Sequence, residues 1–203
     1  RRTKAEVFTE LPPKRYTELV VPITNAEEYE VAEKVFFQWL RDYTAEGETE
    51  ANRIAEALTK LTALRDLAAR GKVAPISDWL EPCLAEGNKV LLFSTRKEPL
   101  QQLARLHPNS LVYTGDLSKK ARQAMVDKFQ TDPKACFFLG TYGAAGVGIT
   151  LTAADRVVLI DLPWTPADKQ QAEDRAHRFG QQRRVEIVTV LAKNTIDERV
   201  LEI

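Results

Sequence analysis

Two hydrophobic periods alternate along this chain. From Lys89 onward, short apolar runs of strand character are separated by stretches with helical spacing: KVLLFST (Lys89–Thr95), a helix over Glu98–Leu106, a strand over Ser110–Tyr113, a helix over Ser118–Gln130 and a strand over Ala135–Thr141. A glycine-rich loop follows, then a strand over Arg156–Asp161, a further helix, a strand over Val185–Leu191 and a last helix from Ile196. Strands joined through helices predict an α/β fold, a parallel sheet with helices on both faces.

The first third reads differently. Residues 1–23 begin with a short basic helix candidate, break at Pro12 and Pro13, and become an alternating extended run through Leu19, Val21 and Ile23, which reads as a linker. Asn25 can cap a helix running through Tyr43, Glu46–Glu50 is a polar break, and a second helix over Ala51–Arg70 carries Ile54, Leu58, Leu61, Leu64 and Leu67 before Gly71 ends it. These two helices are expected to pack as an antiparallel hairpin. A helix over Ile76–Glu86 then leads into the first buried strand. The expected domains are therefore a linker (1–23), a helical unit (24–74) and an α/β unit (75–203).

The richest stretch follows the strand RVVLID (Arg156–Asp161) and the turn LPWTP. Thr165 suits a helix N-cap, Pro166 the first helical position and Asp168 the first turn, facing the positive helix end. The helix is predicted to continue to about Phe179 and stop at Gly180. On it Gln171, Arg175 and Arg178 fall at i, i+4 and i+7 on one face, with Ala172, Ala176 and Phe179 as an apolar stripe on another. Two guanidinium groups so placed can converge on one anion. The competing reading is a solvated helix whose arginines pair with Glu173, Asp174 or nearby acids. Its position after a buried strand and a glycine-rich loop, where α/β sheets hold ligands, favours phosphate.

Two other stretches carry candidate chemistry. YTGDLSKKARQAMVDKF places Thr114, Gly115 and Ser118 where a strand gives way to a helix, with Lys119, Lys120 and Arg122 in the first turns. Cations there oppose the helix dipole unless an anion is present, so phosphate contact is expected. TYGAAGVGITLTAAD (Thr141–Asp155) contains Gly143, Gly146 and Gly148. A dinucleotide fingerprint is excluded, because only 7 residues separate Gly148 from the next strand. A crossover needs roughly ten to twelve.

Composition narrows the picture. The 203 residues allow one or two domains, and 44% hydrophobic residues suffice for a core. Lys plus Arg equals Asp plus Glu at 29 each, so net charge does not point to nucleic acid, but its distribution does. Lys89–Lys128 holds eight basic and three acidic residues, and Ala26–Glu56 nine acidic and three basic. Two cysteines and two histidines predict neither a disulfide framework nor a metal site and suit a reducing intracellular compartment. No run approaches the ~20 apolar residues of a membrane span, so no membrane partner is expected. The terminal TIDERVLEI reads as a helix cut in mid-course, as in a fragment of a longer chain.

QAEDRAHRFGQ (Gln171–Gln181) resembles the sixth helicase motif of the Swi/Snf-type ATPases, the DNA-translocating branch of superfamily two helicases. Thr141–Asp155 is similar to the fifth motif, with Gly143 and Thr150 where the pattern usually has Arg and Asn. Residues 113–129 are similar to a DNA-contacting motif between the fourth and fifth. Arg96 matches the fourth motif loosely, and Trp164 of DLPWTP lies where the family has Trp-Asn-Pro. Arg1–Lys14 resembles the segment joining the two ATPase lobes, and Gly71–Ser94 resembles the annealing-helicase and bacterial branches more than the large chromatin remodellers.

The resemblance implies the second RecA-like lobe (a P-loop NTPase-like helicase lobe two) preceded by a helical protrusion. It implies that Arg175 and Arg178 reach ATP bound on another lobe, Arg178 as an arginine finger worth about 10³ to 10⁵ in rate. Gln171, Gly146 and Gly148 would approach the nucleotide. Arg96, Thr114, Gly115, Lys119, Lys120, Arg122, Thr141 and Trp164 would meet the DNA. No GxxxxGK[ST] loop or acidic DExH-like box is present, so ATP and Mg2+ are expected mainly on the N-terminal lobe. Expected partners are double-stranded DNA, that lobe and a nucleoprotein substrate, in the nucleoid or cytoplasm of a prokaryote or the nucleus of a eukaryote. The alternative is a non-catalytic interaction module with the same fold. A Walker loop encoded upstream of Arg1 separates the two.

Overall fold

The computed structural model describes residues 11–42, 50–146 and 148–200. The expected N-terminal basic helix, with Arg1, Arg2 and Lys4, and most of the polar break at 46–50 lie outside the described residues. In chain order the elements are β1 (Lys14–Val21), α1 (Ala26–Asp42), α2 (Glu50–Gly71), α3 (Val73–Ala85), β2 (Val90–Ser94), α4 (Lys97–Leu106), β3 (Leu111–Tyr113), α5 (Lys119–Thr131), β4 (Phe137–Thr141), α6 (Tyr142–Ala145), β5 (Arg156–Leu159), α7 (Pro166–Glu173), β6 (Val185–Ala192) and α8 (Ile196–Val200).

The six strands form one sheet in the order β1-β6-β5-β2-β4-β3, with every neighbouring pair parallel. The α/β expectation therefore holds. Strand β2 shows why the run VLLFS carries no polar face. Leu91 and Phe93 enter a core with Tyr113, Phe129 and Phe138, while Val90 and Leu92 enter the opposite one with Ile76, Leu80 and Leu100. Successive side chains point to opposite faces, and helices cover both, so every position must be apolar.

Lys14–Val21, read as part of a linker, instead forms the edge strand, paired along all 8 residues with β6 from Lys14↔Val185 to Val21↔Ala192. The partners are about 170 residues apart in sequence, beyond the reach of any local pattern. Helices α1 and α2 form a third core through Tyr29, Phe36, Leu64, Leu67 and Ala68, and Ala192 and Ile196 join it to the end of β6.

Gly71 is the last residue of α2, but a close approach fixes its identity. A Cβ there would lie 2.0 Å from Asn25 Oδ1 and 2.7 Å from Ile23 Cβ, and its carbonyl accepts from the Thr24 N–H at 3.1 Å.

Candidate functional site

Because all strands run parallel, their C-terminal ends line one edge of the sheet, where α/β proteins bind ligands. Asp161, just past β5, ties this edge together. Its Oδ1 accepts the Thr95 N–H at 2.9 Å, its Oδ2 accepts the Ser94 hydroxyl, and its carbonyl accepts the Tyr142 hydroxyl at 2.6 Å. Burial, reinforced by the Asp161 carboxylate, pushes the Tyr142 phenol well above its ordinary range. A residue whose carboxylate and backbone carbonyl together join the ends of three strands fixes the loops that leave them. In the sequence Asp161 shows only as a strand terminus, an acid that ends a buried β-branched run.

Those loops bring together most of the residues matched to DNA contact. Trp164 follows β5, Arg96 follows β2, Thr141 ends β4, and Thr114 and Gly115 follow β3, so the four loops stand side by side in sheet order. Trp164 is 56% exposed and lies under the Arg65 guanidinium of α2, 4.1 Å from the ring centroid. Thr165 caps α7 as expected: its hydroxyl accepts from the Asp168 N–H at 3.2 Å and donates to Asp168 Oδ2 at 2.7 Å. Arg96 is exposed, with its Nε 2.7 Å from Asp66 Oδ1. Thr141 caps α6, accepting from Ala144 N–H at 3.4 Å.

The loop after β3 divides its residues between two roles. Lys119 and Lys120 are exposed in the first turn of α5, beside exposed Gly115. Ser118 already caps that helix, accepting from the Ala121 N–H at 3.2 Å. Arg122 turns back into the loop, donating to the Leu117 carbonyl at 3.0 Å and the Gly115 carbonyl at 2.6 Å. Thr114 is buried, 3.5 Å from Asp116 Oδ2. Lys119 and Lys120 thus remain presented to solvent, while Arg122 and Thr114 shape the loop beneath them.

The arginine segment departs from the expected helix. Helix α7 ends at Glu173, and residues 174–180 follow as a series of turns, so Gln171, Arg175 and Arg178 do not share one helical face. The ladder tightens at Arg175, whose N–H donates to the Ala172 carbonyl at 3.2 Å, and the Arg175 carbonyl, which a continuing helix would offer to the Phe179 N–H, accepts the Leu151 N–H at 2.9 Å instead. The expected apolar stripe is broken with it. Ala172 and Ala176 are buried, but Phe179 is 76% exposed. Gly180 takes φ +96°, the left-handed backbone expected at a C-terminal stop, several residues beyond the last helical one.

The turns nevertheless bring both arginines to the glycine-rich loop. Arg175 Nη1 donates to the Ile149 carbonyl at 3.3 Å, and Arg178 Nη1 donates to the same carbonyl at 3.2 Å and to that of Gly148 at 3.3 Å. Gln171 reaches the loop as well, since a Cβ on Gly146 would lie 3.5 Å from Gln171 Oε1. Gly143 and Gly148 face open space and hold no left-handed backbone, so their value is access to the backbone rather than conformational freedom.

Among the described residues neither arginine forms an ion pair. The neighbouring acids pair with Lys14, whose Nζ lies 2.7 Å from Glu173 Oε2 and 3.2 Å from Asp174 Oδ1. Arg175 is buried and its Nε lacks a hydrogen-bond partner. Burial and the neighbouring Arg178 charge lower its pKa from the ordinary value, although the Asp174 charge opposes this. Two adjacent guanidinium groups, one with an orphaned buried donor, fit a polyanion such as a nucleotide phosphate chain. No group of three His, Cys, Asp or Glu gathers among the described residues to hold a metal ion.

Residues 71–180 match the helicase conserved C-terminal domain family. Over its full length the chain is 31% identical to an uncharacterized ATP-dependent helicase of Mycoplasma genitalium, covering 21% of that protein. It is 33% identical over 97% of its length to the DNA annealing helicase and endonuclease of Bos taurus, covering 18% of that protein. The solved Sulfolobus solfataricus SWI2/SNF2 ATPase core in complex with dsDNA matches it with a TM-score of 0.77 and 27% identity, covering 100% of this chain and 46% of that one. The chain therefore spans about a fifth of the length of these curated relatives.

Proposed function

Because this chain belongs to the helicase conserved C-terminal domain family, as a Swi2/Snf2-type lobe with a RecA-like fold, we propose that it is the second half of an ATP-driven motor on double-stranded DNA. The observation that carries this reading is the pair Arg175 and Arg178. Both point at the backbone of the Gly148–Ile149 loop, without carboxylate partners and with the buried Arg175 Nε unsatisfied. ATP with Mg2+ supplies the reactive phosphoanhydride when bound, held mainly by an N-terminal lobe that carries the phosphate loop absent from this sequence. This chain contributes charge. Arg178, the more exposed of the two, acts as the arginine finger where negative charge grows in the transition state, and Arg175 holds it from behind. Gln171 and the open backbone at Gly146 and Gly148 line the approach of the nucleotide.

On the neighbouring stretch of the same edge, Arg96, Gly115, Lys119, Lys120, Thr141 and Trp164 form a track for the phosphate backbone, with Thr114 and Arg122 as its scaffold. Phosphate contacts position a duplex without reading its sequence. We assign 24–74 as a protrusion and 75–203 as the motor lobe, with residues 1–23 joining it to the other lobe and β1 within them completing its sheet. The intact protein then acts on nucleoprotein wherever the cell keeps its DNA, the nucleoid of a prokaryote or the nucleus of a eukaryote.

The test is translocation. The intact protein should displace a third strand from a triplex in an ATP-dependent manner and leave a forked duplex paired, while the isolated chain hydrolyses no ATP. Its DNA affinity should be independent of sequence and fall steeply with salt, and Lys119→Ala with Lys120→Ala should reduce the salt slope by about 2. Efficient unwinding of the fork, or turnover by the isolated chain, overturns the proposal.

A further inference from the structure

The segment that bears Arg175 and Arg178 is gripped from two sides. On one side is the glycine-rich loop. On the other is the chain entering the sheet: Glu173 Oε2 accepts from Lys14 Nζ at 2.7 Å and from the Tyr16 hydroxyl at 3.1 Å, Lys14 also reaches Asp174 Oδ1 at 3.2 Å, and Lys169 Nζ lies 6.0 Å from the Tyr16 ring centroid. One step further along, His177 Nε2 lies 2.7 Å from the Pro12 carbonyl. A carbonyl can only accept, so Nε2 carries the proton.

These contacts fall where the arginine segment has little support of its own. Beyond Glu173 helical spacing survives only at the Asp174 and His177 N–H groups, while the Arg175 N–H reaches the Ala172 carbonyl at 3.2 Å and the Arg178 N–H the Ala176 carbonyl at 3.1 Å. The other end of the tether is rigid, because β1 is paired with β6 over its whole length. Glu173 is buried, and removing the Lys14 ammonium would leave its carboxylate, among the described residues, with the Tyr16 hydroxyl as its side-chain donor. Partial burial alone would lower the Lys14 pKa, but the hydrogen bonds and charges of Glu173 and Asp174 raise it above the ordinary value.

We propose that Lys14, Tyr16 and His177 are positioning residues that set where Arg175 and Arg178 stand, so that the segment 12–16 leading into β1 governs the arginines' contribution to hydrolysis. Loss of its contacts with Glu173, Asp174 and His177 withdraws the arginines without altering either guanidinium. The inference rests on the proposed ATPase role.

It is tested in the intact protein by steady-state, DNA-stimulated ATP hydrolysis. Lys14→Met should lower kcat by about 10- to 100-fold, the cost of a misplacement near 1 Å, with KM for ATP changed less than about 2-fold. Lys14→Arg should retain most of the activity. The charge exchange Lys14→Glu with Glu173→Lys should recover most of what Lys14→Glu alone loses. Tyr16→Phe, which removes one hydroxyl, guards against a variant that does not fold and should lower kcat several-fold. Wild type and Arg178→Ala are measured alongside: an inactive wild type or an unimpaired Arg178→Ala defeats the ATPase role itself. If those two behave as proposed while Lys14→Met and Tyr16→Phe keep wild-type kcat, even with a lowered thermal midpoint, the tether is overturned and the role stands.

Discussion

The guanidinium of Arg65 lies 4.1 Å from the centroid of the Trp164 ring and donates to the carbonyl of Leu162, so helix α2 holds the loop between β5 and α7 at two points through one head group. Arg65 is buried although its charge faces an exposed ring, which places its stem in the hairpin core and its head at the sheet edge. Arg65→Met keeps the stem and removes both contacts. It should lower the unfolding free energy by about 1–3 kcal/mol in urea titrations. A loss below about 0.5 kcal/mol would mean that the loop holds itself.

Lys72 is fully buried between α2 and α3, with Nζ 2.6 Å from Asp197 Oδ2 and 3.1 Å from the Val190 carbonyl. Asp197 Oδ2 also accepts the Ala192 N–H at 3.1 Å. Removing one partner strands the other, so Lys72→Met should cost about 3–5 kcal/mol. Lys72→Met with Asp197→Asn should cost clearly less. Equal costs for the single and double variants, measured by chemical denaturation, would show that packing, not the charge pair, sets the penalty.

Acid should weaken the fold through His107. Its Nε2 lies 2.9 Å from the Ser77 hydroxyl, its ring meets Phe137 edge-on, and burial lowers its pKa below the ordinary 6.5 although Glu81 opposes this. The unfolded chain therefore takes up the proton before the folded one does. Stability contributed by neutral His107 is intact above about pH 6.5 and is lost as pH falls toward the folded-state pKa, at no more than about 1.4 kcal/mol per pH unit. Urea midpoints between pH 7.5 and 5 should show this slope in wild type and a flatter one in His107→Gln. Parallel slopes would assign the acid sensitivity to carboxylates instead.

What was legible in the sequence was whatever rests on local pattern. VLLFS and RVVL read as buried strands because both faces of the sheet are covered, and Thr165-Pro166 read as a helix start because capping needs only a few residues. The arginines and the glycine-rich loop were legible as motifs. Their geometry was not, because the Leu151 N–H that takes the Arg175 carbonyl comes from another loop. The role of Lys14 was equally hidden, since a basic residue after two prolines gives no sign of pairing with an acid 159 positions away. Asp161 was visible as a residue and invisible as a brace, because its partners lie at the ends of other strands.

The proposed role of the arginines is tested most directly by DNA-stimulated ATP hydrolysis in the intact protein carrying Arg178→Ala. A side chain that acts where charge develops should lower kcat by about 10³-fold or more while KM for ATP stays within a few-fold of wild type. An unchanged kcat, or an equal loss in kcat and nucleotide affinity, would contradict the arginine-finger assignment.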